Sequence, residues 1–209
     1  MGDYNAVRIR KGNKSVTVSN ETPKDSKMPV KGLFSKHLDK PGILSSLFNS
    51  LASEGVNVET ARLHSKNDGT AVAFLTLGQH NGNIQNAIDF VRGTDQGSFL
   101  ELIFNDNTEL PNFYGEGVYL YELDGVELKM ALSDKMIITK HENSPGVLLI
   151  LLSALASKHV NIVDLRLGKR NKIGYSALAV EGDSNEIKAL LNKLGEQYYE
   201  ANLIEFHSM

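Results

Sequence analysis
The spacing of apolar residues changes period in a fixed order along the chain, and the whole order occurs twice. Residues 30–37 predict a strand that ends at a proline-glycine turn, Pro41 and Gly42, with the proline where a helix's first residue tolerates a missing N–H. Ile43, Leu44, Leu47, Phe48 and Leu51 then recur at spacings of one, three and four, which makes one apolar helix face, and Gly55 ends it. Residues 56–64 and 70–77 are rich in branched and apolar side chains, and Asp68-Gly69 between them is a two-residue hairpin signal. Asn81-Gly82 turns into a second helix with Ile84, Ala87, Ile88 and Val91 inward, and residues 99–104 close the unit as a strand. The same order returns as strand 136–141, helix 145–158, strands 160–167 and 173–181, helix 185–194 and strand 203–206.

Identities accompany the repeated pattern. Lys36, His37, Pro41, Gly42 and Leu44 reappear as Lys140, His141, Pro145, Gly146 and Leu148; Val56, Asn57, Arg62 and Leu63 reappear as Val160, Asn161, Arg166 and Leu167, each 104 positions on. A period that long marks a duplicated domain, because about 100 residues can enclose a core. The expected fold class is α+β: two ferredoxin-like βαββαβ units, each a four-stranded antiparallel sheet with both helices on one face. Residues 7–18 and 118–129 read as accessory β-hairpins, the latter around Asp124-Gly125. The expected organisation is an N-terminal extension with a hairpin at 1–29, a first unit at 30–104, a hairpin-bearing linker at 105–133 and a second unit at 134–209, with 21–28 and 105–117 as looser connections. Ser45 and Ser46 of the first helix become Leu149 and Ile150 in the second, so that helix lacks a polar face and is expected to meet another domain or subunit.

Composition narrows the function. The 209 residues, 41% hydrophobic and 22% charged, suit two small globular domains. No stretch is apolar for long enough to span a bilayer, and the start lacks the apolar core of a signal peptide, so a cytoplasmic protein without membrane association is expected. Zero cysteines exclude disulfides, thiolate metal sites and a cysteine nucleophile. A formal charge of −3 gives no general attraction to nucleic acid. Residues 1–29 carry six Lys/Arg against three Asp/Glu, and 101–134 carry one Lys against eight Asp/Glu, so these stretches are either solvated surface or face each other.

The loop His141, Glu142, Asn143, Ser144, Pro145, Gly146 and Val147, followed by Val160-Asn161-Ile162, resembles the serine-binding ACT domain at the C-terminus of D-3-phosphoglycerate dehydrogenases. The first copy, with Asp39-Lys40-Pro41-Gly42 and Gly55-Val56-Asn57, resembles ACT domains more generally. The resemblance implies a non-catalytic module that binds a free amino acid between the first strand and first helix, with His141, Asn143 and Asn161 as the ligand-holding residues. In the first copy the equivalents are His37, Asp39, Gly42 and Asn57. The implied partners are a small amino acid, serine first, and a separate metabolic enzyme, with no cofactor or metal; the unpaired sheet edges and the Leu149/Ile150 face predict a homodimer.

The residue chemistry agrees with such a ligand. An amino acid presents a carboxylate and an ammonium; a helix N-terminus offers N–H groups to the first, and a carboxamide offers both donor and acceptor. Gly146 permits close backbone approach, and His141 is expected to donate to a ligand oxygen. Asp39 in place of an amide favours an ammonium and repels a carboxylate, so the first site takes a different ligand, takes none, or completes the second site across a pseudo-symmetric interface. A purely structural origin is the competing expectation: Pro-Gly turns follow from backbone geometry, asparagines cap strands, and His37, His64, His80, His159 and His207 read as structural or surface residues. With no paired metal-spaced histidines, no serine with an evident base and no Walker or dinucleotide loop, catalysis is not expected. RNA-recognition modules share the βαββαβ order, but among residues 56–63 and 71–77 only Phe74 is aromatic, so nucleic acid is not an expected partner. A ligand-free assembly subunit is the alternative.

Overall fold
The computed structural model describes residues 6–11, 14–20, 30–78, 82–94, 97–108 and 118–206. Residues 21–28 and 109–117, Asn81, His80 and His207, all assigned from sequence above, lie outside this set. An antiparallel hairpin, β1 (Ala6–Lys11) and β2 (Lys14–Ser19), precedes the first βαββαβ unit: β3 (Val30–Leu38), α1 (Ile43–Ser53), β4 (Val58–Ser65), β5 (Thr70–Leu77), α2 (Ile84–Thr94) and β6 (Phe99–Thr108). A second hairpin, β7 (Tyr119–Leu123) and β8 (Val126–Ala131), leads to the second unit: β9 (Lys135–Glu142), α3 (Val147–Ser157), β10 (Asn161–Arg170), β11 (Ile173–Glu181), α4 (Ser184–Leu194) and β12 (Glu200–Glu205). Both units are ferredoxin-like, as the periodicity predicts. Residues 105–108 belong to β6 rather than to a connection, and the last strand begins at Glu200.

The two sheets fuse. Their strands form one antiparallel sheet of eight in the order β12-β9-β11-β10-β4-β5-β3-β6. At the junction Arg62 lies opposite Arg166, Leu63 opposite Leu165 and Ala61 opposite Leu167. Arg62 and Arg166 are equivalents in the repeat, so a local two-fold axis passes between them. On the helical face α1 and α3 lie together, with Ser45 Oγ and Ser153 Oγ 2.8 Å apart. A single apolar core runs through both units, from Leu33, Leu47, Leu51 and Leu75 to Ile137, Leu151, Leu155 and Leu178, each at most 1% exposed. Leu149 packs against this core beside α1, whereas Ile150 remains 37% exposed, so the second apolar face of α3 is taken up within the chain only in part.

The hairpins do not stay separate. Strand β2 pairs with β7, giving a second sheet ordered β1-β2-β7-β8 and bringing the basic N-terminal stretch against the acidic one. Ser15 N donates to Asp124 Oδ1 at 2.7 Å across that seam. Leu120, Val126, Leu128 and Met130 of this sheet cover Met136, Tyr175, Ala177 and Ala179, so the second unit's outer sheet face is buried rather than open. Alternation along β9 and β11 makes this possible: Ile137 and Leu178 face the helices while Met136, Ala177 and Ala179 face the accessory sheet. Among the described residues, no helix is long and apolar enough to cross a membrane.

Candidate functional site
Each unit's strand-to-helix loop is shaped by a glycine with positive φ. Gly42, at 95°, and Gly146, at 84°, are the N-caps of α1 and α3, a left-handed conformation that a side chain would strain. The prolines therefore sit one residue ahead of the cap, not in the first helical turn.

The junction at β4 and β10 crosses these loops over. The loop after β9 faces the start of β4, and Asn57 Nδ2 donates to Asn143 Oδ1 at 3.2 Å. The loop after β3 faces the start of β10, and Asn161 Nδ2 donates to Asp39 Oδ1 at 3.3 Å. Two composite clefts result. The first is walled by His141, Asn143, Ser144, Pro145 and Gly146 from one unit and by Phe48, Ala52 and Asn57 from the other. The second is walled by His37, Asp39, Pro41 and Gly42 with Ala156, Val160 and Asn161. Of the expected group His141, Asn143 and Asn161, the chain brings His141 and Asn143 together with Asn57, while Asn161 lies beside Asp39. The antiparallel junction causes the exchange, since it sets the start of each second strand against the other unit's loop. Val147 lines neither cleft; its carbonyl accepts from Tyr198 Oη at 2.7 Å, and the same hydroxyl accepts from Leu151 N at 3.2 Å.

Each cleft has a buried imidazole at its base. His141 is 2% exposed, and its Nδ1 donates to the Glu142 carbonyl at 2.8 Å, an assignment that follows from the acceptor being a carbonyl. Its Nε2 is then a lone pair, buried and without a hydrogen-bond partner among the described residues. Gly174 makes room for the ring: a Cβ there would lie 2.5 Å from His141 Cε1. Tyr198 meets the ring edge-on at 5.7 Å between centroids. His37 repeats the arrangement, with Nδ1 donating to the Leu38 carbonyl at 2.9 Å, Nε2 unpartnered and Phe99 5.7 Å away. Burial pushes both imidazoles below the ordinary 6.5, so both are neutral near pH 7. With Nδ1 donating to the Glu142 carbonyl, His141 Nε2 is left as an acceptor rather than the expected donor. Tyr198, buried against α3, is likewise driven upward by burial.

The clefts are narrow. Each encloses about 20 Å³, room for one water molecule. The surrounding groups comprise a helix N-terminus for an anion, a carboxamide pair for either end of a zwitterion and an imidazole lone pair for a donor. Asp39 and Lys40 bring one charge of each sign to the second cleft, whereas no Asp, Glu, Lys or Arg lines the first.

No family model matches the chain, and no curated protein matches it. Among solved structures the chain is similar to aspartate kinase from Synechocystis, at 18% identity and a TM-score of 0.47 over 91% of this chain; it spans only 28% of that enzyme's length. It is also similar to the ligand-free regulatory subunit of aspartate kinase from Thermus thermophilus, at 15% identity and TM-score 0.30 over 88% of this chain and 97% of that one. A third is the acetolactate synthase small subunit from Thermotoga maritima, at 13% identity and TM-score 0.28 over 86% and 99%.

Proposed function
We propose that this chain is a non-catalytic regulatory module of tandem ACT type, with units at 30–104 and 134–209, that binds a small amino acid in its composite clefts. Serine is the first candidate. The observation that carries the reading is the Asn57–Asn143 hydrogen bond closing a cleft lined by His141, whose buried Nε2 has no partner among the described residues. A buried acceptor left unpaired costs about 1–3 kcal/mol, and a ligand hydroxyl or ammonium donating to it relieves that cost. In this arrangement Asn143 Oδ1 takes the ammonium, Asn57 Nδ2 and the α3 N-terminus take the carboxylate, and the serine hydroxyl donates to His141 Nε2. Because the walls belong to different units, a ligand that enters parts the two loops and shifts the α1–α3 contact. That movement is the signal passed to a separate enzyme of amino-acid metabolism. In the cytoplasm the module works as a homodimer in which two chains meet at β6 and β12, the outermost strands of the eight-stranded sheet among the described residues.

A ligand-free assembly role is the second reading, favoured by the small enclosed volume of the clefts and by the core shared between the units. A thermal-shift screen of the common amino acids separates the two. The sensor reading requires stabilisation by one or a few, roughly 2.7 kcal/mol at one hundred times the dissociation constant. A flat screen leaves the assembly role.

A further inference from the structure
A third cavity, about 360 Å³, opens where β4 and β10 part. Their pairing ends at His64 opposite Asp164, and β10 bulges between Ile162 and Asp164, so the strands diverge beside the accessory sheet. We infer that this groove, which shares Asp39 with the His37 cleft, is a binding site for a small organic amine.

The groove has a built polar floor. Asp164 is 7% exposed; its Oδ1 pairs with the buried Arg166, and its Oδ2 stands 3.9 Å from His64 Nδ1. Ser65 Oγ is buried on the same wall and has no partner among the described residues. Arg166 Nη1 donates to Asp164 and to the carbonyls of Leu63 and Leu165, so the charges of Arg166 and Asp164 offset each other. With that pair set aside, Asp39 and Glu181 face Lys66 alone, which leaves the lining negative and favours a cation. The carboxylates are dispersed: among the described residues no three His, Asp or Glu side chains converge as a metal site. Leu132, Val163 and Ala179 supply apolar wall between them, which suits the methylenes of an alkylammonium rather than a bare ion.

Isothermal titration of the full chain with cadaverine at constant ionic strength tests the site, with the matching pentanediol as neutral control. Saturable binding of the diamine and none of the diol is expected. Glu181→Gln should weaken cadaverine binding about two- to fivefold and Lys66→Ala should tighten it by a similar factor, the size of one partly exposed charge interaction. Equal heats from the diol, a failure to saturate, or an affinity unchanged in both variants would overturn the assignment. Glu181 and Lys66 line neither cleft, so the outcome stands apart from that of the amino-acid screen.

Discussion
Gly174 lies opposite His141 in the β9–β11 ladder, and its missing side chain is what lets the imidazole lie flat against the strand. Gly174→Ala should cost about 1–3 kcal/mol, because the ring has to move or the strands have to spread. Urea denaturation measures that loss, and a variant as stable as the parent would show that the ring has room to spare. The two buried imidazoles also tie stability to pH. Their folded values lie below the ordinary 6.5, so the unfolded chain takes up protons first as pH falls. The stability they confer is whole above 6.5 and is lost on acidification through their folded values. Urea midpoints should therefore fall as pH drops below 6.5, and His37→Gln with His141→Gln should shrink the fall. At this scale the sequence was informative about which residues sit in the loops, since Pro-Gly and Val-Asn recur in identical positions. Tautomer and burial were not legible, because they depend on Gly174, Tyr198 and Phe99, which lie 33, 57 and 62 residues away from the histidines they touch.

Among the elements, the β4–β10 junction determines what faces what. Arg166 sits inside it at 2% exposure, bonded to Asp164 and to the carbonyls of Leu63 and Leu165. Arg166→Met should destabilise the fold by about 3–5 kcal/mol, since Asp164 would be left as a buried charge without its partner. Chemical denaturation reads this directly, and a loss below about 1 kcal/mol would mean that Asp164 is solvated in the parent. Element order was legible because periods of two and 3.6 residues are local properties of the chain. The crossing of the loops was not. Repeat identity establishes that Asn57 and Asn161 are equivalents, but only the antiparallel register of Arg62 opposite Arg166 assigns each to the other unit's loop. The N-terminal hairpin and the linker hairpin were both visible as strands, while their union through β2 and β7 rests on long-range pairing that no local pattern encodes.

For the whole molecule, one core and one sheet pass through both units, so the duplicated halves should unfold together. Calorimetry should show a single cooperative transition; two transitions would mean that the junction carries little energy. The same junction gives the proposed regulatory action its leverage, because a ligand held by groups from both units acts on the arrangement of the molecule and not on one loop. The most direct measurement is calorimetric titration of the amino acid selected by the screen, serine first, into Asn143→Ala, Asn57→Ala and Asn161→Ala proteins. The composite-cleft account predicts that Asn57→Ala removes the response of the His141 cleft as fully as Asn143→Ala does, while Asn161→Ala leaves it intact. Loss on Asn161→Ala with retention on Asn57→Ala would contradict it.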